Sequence, residues 1–124
     1  MSTAELLQPG RWSQIGIADP DGLMLIGDIG LFLAADGRDA EIGITLRRQS
    51  QGRGMGTAAA REAISLVFER TNAERVLGIV DARNDRSIRL LQRVGMRMLE
   101  SRGAACRDEP CIEHIYGISR RPGE

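Results

Sequence analysis

The stretch Gln51-Gly52-Arg53-Gly54-Met55-Gly56-Thr57-Ala58 decides how the rest of the chain is interpreted. It follows an apolar, alternating segment at 40–46 and precedes an amphipathic segment at 57–70. A glycine-rich turn between a strand and a helix N-terminus directs several backbone N–H groups at one point, where the helix dipole also favours negative charge. Glycine suits this turn because a Cβ atom would hinder both the unusual φ angles and the approach of a phosphate oxygen. The stretch therefore predicts a phosphate-binding loop.

Two familiar kinds of nucleotide loop fit this stretch poorly. A Walker loop needs a lysine directly after its last glycine, and the chain contains no lysine, which excludes nucleotide hydrolysis of that type. A dinucleotide-binding loop has the spacing G-x-G-x-x-G and an acidic residue about 20 positions further on. Asp81 lies near that distance, but the spacing after Gly56 is wrong. Dinucleotide binding is left as an alternative.

Three strands are predicted before the loop. The apolar runs 12–17 and 23–33 are separated by the turn sequence Asp19-Pro20-Asp21-Gly22 and should form an antiparallel hairpin. Residues 36–39 then turn the chain into the strand 40–46. A Rossmann unit begins instead with parallel β–α–β connections, so this order of elements argues against it.

A helix and a parallel strand are predicted after the loop. Apolar residues recur at helical spacing over 57–70. Residues 75–80 form a short apolar run, which a right-handed crossover would place parallel to the strand before the loop. The loop then lies between two parallel strands and a helix.

The C-terminal part is predicted to add a second helix and a closing hairpin. Asn84 or Asp85 can cap this helix, and Gly95 is placed to end it. The hairpin is expected from 96–103 and 111–119, followed by a polar tail from residue 120.

Length and composition indicate one domain over 1–124, with flexible ends at 1–10 and 120–124. A chain of 124 residues can bury roughly two thirds of its unfolded surface, enough for one core. Its 17 arginines balance 17 acidic residues, so no net field favours a nucleic-acid partner. No apolar run approaches the roughly 20 residues that span a bilayer, and the N-terminus lacks the layout of a signal peptide. We therefore expect a cytoplasmic protein without membrane or nucleic-acid partners.

Cys106, Cys111 and the single histidine, His114, lie close together in the sequence. Their spacing, C-x4-C-x2-H, matches no closed tetrahedral metal site, so no metal is expected. Cytosolic thiols are usually reduced, so a disulfide is not expected either. His114 is expected on a strand face.

Two further motifs flank the loop in a fixed order. Ala40-Glu41-Ile42-Gly43 precedes it, and a segment N-x-x-S-x-x-L-L-x-x-x-G-M follows it at 84–96. Together with the loop pattern Q-x-x-G-x-G at 51–56, these motifs resemble the GNAT acetyltransferases. Within that family they are most similar to the ribosomal-protein N-terminal acetyltransferases, and the similarity covers 26–96.

The resemblance implies both a fold and a coenzyme. The fold class is α/β (α+β), a mixed and mostly antiparallel sheet flanked by helices, in which a splayed pair of parallel strands holds acetyl-CoA. The loop amides would bind the pyrophosphate, and Arg48 or Arg53 could contact a phosphate. Asn84 would contact the pantetheine arm, although a plain helix cap explains it equally well. The residues implied for coenzyme binding are Ile44, Thr45, Leu46, Gln51, Gly52, Arg53, Gly54, Met55, Gly56, Thr57 and Asn84.

The resemblance also implies acetyl transfer to a primary amine by direct attack on the thioester. Glu41 occupies the position of a general base, with a solvated strand carboxylate as the alternative. Backbone N–H groups at 43–45 would stabilise the carbonyl oxygen. Ser87 is the candidate general acid, because Leu91 replaces the tyrosine of many members. The alternative for Ser87 is an ordinary first-turn residue of a helix, a position that serine favours.

The acceptor and its side of the site are less specified. An α-amino group, with a pKa of about 7.7–8.0, is more often neutral at pH 7 than a lysine amine with a pKa of about 10.4, so a protein N-terminus or small amine is favoured. Family members usually carry a further strand and helices before the first strand predicted here, at Trp12. The resemblance therefore leaves three alternatives open: a recorded start downstream of the true one, a partner subunit that supplies the missing wall, or a degenerate acyl-CoA-binding module without transfer. An exposed sheet edge on the N-terminal side would favour a homodimer.

Overall fold

The computed structural model describes residues 8–18, 25–46 and 54–120. These ranges contain six strands and two helices that form one sheet in the order β1-β2-β3-β4-β6-β5. The elements are β1 (Trp12–Ala18), β2 (Leu25–Leu33), β3 (Asp39–Leu46), α1 (Met55–Arg70), β4 (Arg75–Asp81), α2 (Asp85–Arg93), β5 (Arg97–Cys106) and β6 (Glu109–Ser119).

The sheet is mixed, with one parallel pair. Strands β1 and β2, β2 and β3, β4 and β6, and β5 and β6 are antiparallel neighbours, whereas β3 and β4 run parallel. This confirms the predicted fold class, the N-terminal hairpin and the parallel strand after the helix. The turn predicted at 19–22 lies outside the described residues.

Both helices cover one face of the sheet, the helix face. In α1 the buried residues Ala60, Ala63, Ile64 and Val67 recur at helical spacing and pack on side chains of β2 and β3 such as Ile42. In α2 the buried residue is Leu91, which joins the same core cluster. Small alanines on α1 let its backbone approach the sheet closely. No helix in the described ranges has the length and hydropathy that crossing a membrane requires.

The opposite face, the open face, carries no helix within the described ranges. Cross-strand register aligns Trp12, Phe32, Glu41 and Leu77 in one row on this face. The rings of Trp12 and Phe32 lie 5.2 Å apart, and Trp12 remains 54% exposed. A carboxylate in this row is therefore flanked by apolar neighbours rather than by water alone.

Local signals fix the ends of α2. The side chain of Asn84 accepts a hydrogen bond from the Ser87 N–H at 3.2 Å, so Asn84 is the N-cap. Gly95 ends the helix with φ of 95°, and the following Met96 N–H donates to the Leu91 carbonyl at 3.0 Å. A left-handed glycine with such a bond is a common helix stop. Both predictions are confirmed.

Arg120 ties the end of β6 to the end of α1. Its guanidinium donates to the carbonyl oxygens of Phe68 at 2.7 Å, Thr71 at 2.8 Å and Ala73 at 2.9 Å. It also lies over the Phe68 ring, 4.9 Å from the centroid. The polar tail predicted from residue 120 therefore begins with a residue that caps a helix C-terminus, a contact across 52 residues that no local pattern signals.

The closing hairpin differs from the prediction in length and in its cysteines. Arg107 and Asp108 adopt φ of 52° and 65°, the signature of a tight two-residue hairpin turn, so the strands extend to this turn instead of stopping at 103 and 111. The register then brings the Cα atoms of Cys106 and Cys111 within 5.7 Å, and their sulfurs form a disulfide. The expectation of reduced thiols is wrong, because it rested on the expected cellular compartment alone. The Cα–Cα distance set by the hairpin lies in the range of disulfide-bonded cysteines. His114 lies on β6 as predicted, where its Nδ1 is 2.7 Å from the Ser101 hydroxyl.

Candidate functional site

The two parallel strands part halfway along their length. β3 and β4 pair at Asp39 with Arg75, Ala40 with Val76 and Glu41 with Leu77, and in the described residues they do not pair beyond that point. Gly78 stands at the separation, where a Cβ atom would lie 3.0 Å and 3.2 Å from the Leu91 methyl groups. The glycine therefore lets α2 approach β4 closely at the place where the strands diverge.

A cleft of about 380 Å³ occupies this gap and reaches both faces of the sheet. On the helix face it is lined by Ile42, Ile44, Asn84, Ser87, Leu90 and Leu91, among others. On the open face the lining includes Trp12, Gln14 and Asp28. Two reactants can therefore meet in one slot from opposite sides.

A second cleft, of about 510 Å³, continues from the first on the helix face. Both clefts are lined by Ile44, Thr45, Asn84, Ser87 and Leu90, so they form one continuous groove. The second cleft lies between the start of α1 and one side of α2. Its further lining residues are Gly54, Gly56, Thr57, Arg86, Arg89 and Arg93.

The start of α1 is built to receive an anion. Gly54 is the N-cap with φ of 77° and offers no side-chain cap to the first-turn N–H groups. A Cβ atom at this position would meet nothing within 4 Å among the residues that the structure describes, so these residues leave the space in front of the helix open. The first turn contains no acidic residue. Uncapped N–H groups facing an open cleft, next to arginines, fit a phosphate group.

Asn84 and Ser87 stand where the two clefts join. The carboxamide oxygen of Asn84 is used in the α2 cap, which leaves its NH2 group as the donor available to a ligand. The half-buried Ser87 uses its backbone N–H in that cap and is itself a lining residue of both clefts. The cap and the ligand roles of Asn84 thus use different atoms and are compatible.

Glu41 lies on the open face and is half-buried. Burial beside its apolar row neighbours raises the pKa of Glu41 above its ordinary value, 4.5. The Arg102 cation partly opposes this shift in pKa, and the Glu113 carboxylate reinforces it. Glu41 is the neighbour of the cleft residue Ile42 but does not itself line either cleft.

Most of the site residues that the sequence indicated, and that the structure describes, lie together. Seven of them line the joined clefts: Ile44, Thr45, Gly54, Gly56, Thr57, Asn84 and Ser87. Met55 lies in the first turn of α1 without lining them, and Glu41 lies beside the cleft. The predicted residues Arg48, Gln51, Gly52 and Arg53 and the side chain of Leu46 lie outside the described residues.

Sequence reasoning missed two groups of lining residues. Arg86, Arg89 and Arg93 had a readable signal, since their spacing of three and four places them on one side of a helix. Trp12 and Gln14 had none. They reach the slot because of the register of β1 on β2 and because Gly30 leaves room for them. A Cβ atom at Gly30 would lie 3.2 Å from Gln14 Nε2 and 3.4 Å from the Trp12 ring.

One further group of potential metal-ligating residues includes Asp81, which lines the first cleft. Ligand atoms of Asp81, Cys106 and Cys111 lie within 4.8 Å of one another. The two sulfurs are joined in the disulfide, whereas metal binding uses the thiolate. Asp81 is held by Arg83 at 2.8 Å, and that hydrogen-bonded ion pair lowers the pKa of Asp81 to about 2. The group as it stands is an ion pair beside a disulfide.

The fold matches solved acetyltransferase structures. A protein described as a probable acetyltransferase is 28% identical, with a TM-score of 0.75 over 82% of this chain and 57% of that one. A mutant of spermidine N-acetyltransferase from Vibrio cholerae is 18% identical, with a TM-score of 0.78 over 94% and 70% of the two chains. Ribosomal-protein-S5-alanine acetyltransferase from Vibrio fischeri is 16% identical, with a TM-score of 0.75 over 86% and 61%. The two matches with lower identity show the fold alone.

The chain spans only 57% of the length of the first of these proteins. A search of curated protein sequences found no match. The family profile of the acetyltransferase (GNAT) domain matches residues 3–97, which include the diverging strands, the start of α1 and the Asn84 cap. The chain therefore belongs to the GNAT acetyltransferase family.

Proposed function

We propose that the protein is an acetyl-CoA-dependent N-acetyltransferase that acts on a primary amine. The observation that carries this proposal is the parting of β3 and β4, which opens a slot through the sheet beside an uncapped helix N-terminus. Strands that stop pairing leave backbone donors and acceptors for an extended ligand. The family to which the chain belongs supports the same reaction.

The groove on the helix face has the chemistry to hold the acyl donor. First-turn N–H groups of α1 would bind the pyrophosphate, and the Asn84 NH2 group would donate to an amide of the pantetheine arm. The unpaired edge of β3 from Ile42 onward would pair with the same arm. Acetyl-CoA supplies a thioester whose carbonyl carbon an amine can attack.

On the open face, Glu41 is the proposed general base. Its raised pKa makes the carboxylate a better proton acceptor than an ordinary glutamate near neutral pH. Because Glu41 does not line the slot, we propose that it takes the proton from the attacking amine through a water molecule. Backbone N–H groups of 43–45 would stabilise the developing negative charge on the carbonyl oxygen.

Ser87 is the proposed general acid that protonates the leaving thiolate. Ser87 lines the cleft and carries a hydroxyl, whereas Leu91, in the position where many family members carry tyrosine, is buried and has no proton to donate. A thiol with a pKa of about 8.5 also leaves readily without an acid. We therefore expect Ser87→Ala to lower turnover less than Glu41→Gln does.

We propose a protein N-terminus or a small amine as the acceptor. The similar structures include enzymes named for spermidine, which carries primary amines, and for an alanine of a ribosomal protein, which offers a primary amine where it is the N-terminal residue. We also propose a cytoplasmic homodimer. Strands β1 and β5 are the edges of the sheet in its described part, and exposed strand edges favour pairing with another chain.

Binding of acyl-CoA without transfer is the second candidate function. It is favoured by the position of Glu41 outside both clefts and by the apolar Leu91. The two functions differ in one measurement, which is acetylation of any member of an amine panel.

Calorimetric titration with acetyl-CoA, NAD and ATP would test the coenzyme site. Gly54→Val places a branched side chain in the open space before α1 and should abolish acetyl-CoA binding. Gly37→Val is the matched control, because Gly37 has φ of 74°, equally open surroundings and a position in the β2–β3 turn. Both variants carry similar backbone strain, so only loss confined to Gly54→Val identifies the site. A folded wild type that binds no acetyl-CoA would refute the proposal.

Acetylation of an amine panel would then separate the two candidate functions. Glu41→Gln should reduce turnover strongly while acetyl-CoA affinity stays near that of the wild type. Unchanged turnover would remove Glu41 as the base, and binding without any transfer by the wild type would establish the second function.

A further inference from the structure

Three potential metal ligands from three strands meet on the open face of the sheet. Cys106 ends β5, Cys111 lies near the start of β6, and Asp81 ends β4. Asp81 is four positions beyond Leu77 of the open-face row, and it is in register with Glu113, two positions after Cys111. Because side chains two positions apart in a strand share a face, all three ligands lie on this face. Their ligand atoms lie within 4.8 Å of one another, and we call them the rim cluster.

The backbone holds the rim cluster together. The Ala82 N–H donates to the Ile112 carbonyl oxygen at 2.8 Å, which fixes the end of β4 beside β6 next to Cys111. The hairpin register sets the Cα atoms of Cys106 and Cys111 5.7 Å apart. This arrangement depends on strand pairing, so Asp81 and the two cysteines should remain neighbours when the bond between the sulfurs is broken.

The two cysteines have two chemical states. In the oxidised state their sulfurs form the disulfide. A dithiol reductant supplies two electrons and two protons, breaks the S–S bond to give two thiols, and is itself oxidised to a disulfide. Thiols that bind a metal ion release their protons to solvent and ligate as thiolates. The reduced state therefore offers two sulfur ligands beside a carboxylate.

The spacing of the rim cluster suits a tetrahedral ion. Zinc binds thiolate sulfur at about 2.3 Å and carboxylate oxygen at about 2.0–2.2 Å, which sets neighbouring ligand atoms roughly 3.6–3.8 Å apart. The ligand atoms of the cluster lie within 4.8 Å, so rotations about side-chain bonds suffice to reach this spacing. Thiolates favour zinc over magnesium and calcium, which prefer oxygen ligands.

The charges around the rim cluster allow a cation to enter. Arg83 holds Asp81 in an ion pair of 2.8 Å, but the Arg83 side chain is 73% exposed, and an exposed pair contributes little to stability. A divalent ion can therefore replace Arg83 as the partner of the carboxylate. Glu113, in a long ion pair of 3.5 Å with Arg102, and Glu109, at the start of β6, add negative charge nearby.

We propose that the reduced protein binds one Zn²⁺ ion through Cys106, Cys111 and Asp81, with water as the fourth ligand. Sequence spacing did not indicate this site, because Asp81 reaches the cysteines through strand pairing. His114 is closer to them in the chain, but alternation along β6 directs it to the opposite face, where its Nδ1 is 2.7 Å from the Ser101 hydroxyl. Because Asp81 lines the first cleft, the ion lies at the rim of that cleft.

Metal titration of the full chain in both redox states tests the proposal. The protein is reduced with dithiothreitol, freed of it without oxygen, and titrated with Zn²⁺ by calorimetry and with Cd²⁺, whose bonds to thiolates absorb in the ultraviolet. The reduced wild type should bind one ion per chain, and the oxidised wild type should bind at least about a hundredfold more weakly. Equal affinity in the two states, or no binding by the folded reduced protein, would overturn the proposal.

Asp81→Asn and Asp108→Asn form a matched pair of variants. Asp81→Asn removes a charged ligand and should weaken binding to the reduced protein at least about tenfold. Asp108 lies in the hairpin turn with φ of 65°, a conformation that asparagine also adopts, so Asp108→Asn should change the affinity less than about twofold. His114→Ala should also leave it unchanged. An unaffected Asp81→Asn, or a tenfold loss in either control, would overturn the assignment of the ligands.

A variant with the opposite expected sign separates binding from folding. Arg83→Ala frees Asp81 from its ion pair and should tighten ion binding by about two- to fivefold, a gain that unfolding cannot produce. An unchanged or lower affinity would overturn the proposal, even where urea denaturation shows that Asp81→Asn is unfolded. One ion per two chains would place the thiolates between two copies and overturn it as well. The proposal does not depend on acetyl-CoA binding, so either can fail without the other.

Discussion

Replacing Arg120 with alanine should destabilise the protein by an amount that follows from its contacts. The guanidinium makes three hydrogen bonds, of 2.7 to 2.9 Å, to carbonyl oxygens at the end of α1 and just after it, and it lies over the Phe68 ring. The side chain is exposed, so we assign each bond only about 0.5 kcal/mol, at the low end of the usual range. The charge at a helix C-terminus and the cation–π contact add about 0.5 kcal/mol each. The total loss in free energy of unfolding is about 2.5 kcal/mol.

Thermal unfolding converts this loss into a measurable shift. An unfolding entropy of about 2.1 cal/mol/K per residue gives about 0.26 kcal/mol/K for the whole chain, so the midpoint should fall by roughly 10 °C. Urea denaturation should show a lower midpoint at an unchanged slope. Arg97→Ala, at an exposed arginine without a side-chain hydrogen bond in the described part of the structure, should shift the midpoint little.

A fall of less than about 2 °C in Arg120→Ala would refute this reasoning, because it would mean that water replaces the three hydrogen bonds without loss. Arg120→Lys provides a further check. It keeps the positive charge at the helix end but not the forked donors, so its midpoint should lie between those of the alanine variant and the wild type.

Four other changes have expected outcomes that the structure specifies. Gly78→Ala should lower the free energy of unfolding by about 1–3 kcal/mol and weaken acetyl-CoA binding, because the new methyl group would lie 3.0 Å from Leu91 beside the slot. The control in both denaturation and titration is Gly103→Ala, where a Cβ atom meets nothing within 4 Å among the described residues. Turnover should fall on the acid side of its pH profile with a midpoint above pH 4.5, because the general base must be ionised. Arg102→Ala removes the cation that lowers the pKa of Glu41 and should move this midpoint to higher pH. An unmoved midpoint would exclude Glu41 as the group that causes the fall. Because the pKa of Glu41 is raised in the folded state, its contribution to stability is fully present below pH 4.5 and is lost as the pH rises through the folded pKa. Glu41→Gln should therefore stabilise the protein at pH 7 but not at pH 4. Chemical denaturation at the two pH values measures this difference. Reducing the disulfide of the β5–β6 hairpin should lower the free energy of unfolding by only about 2 kcal/mol, because the bond closes a short loop between cysteines five positions apart. Urea denaturation with and without dithiothreitol measures this loss. A loss twice as large would require a further role for the bond.

Interactions between near neighbours in the chain were readable from the sequence. The alanine and aliphatic spacing of α1, the capping side chain of Asn84 and the stop at Gly95 each depend on residues within one or two helical turns. Such signals carry their physical cause with them, namely burial of one helix side, satisfaction of a free N–H group and a positive φ. The order of strands and helices followed from these signals and predicted the fold class.

The tertiary structure alone decided the contacts between residues that are distant in the chain. Trp12 and Gln14 enter the slot only through the register of β1 on β2, and Arg120 finds its carbonyl partners more than 45 residues away. The hairpin register likewise brought the two cysteines together against an expectation based on cellular compartment. The alternation of buried and exposed side chains excludes a shift of one residue in a strand pairing. A shift of two residues keeps every side chain on its face and changes only its cross-strand neighbours, so local sequence places little constraint on that choice. The sequence by itself therefore determined the helices and strands and predicted a phosphate loop, whereas long-range strand pairing decided which side chains surround the cleft.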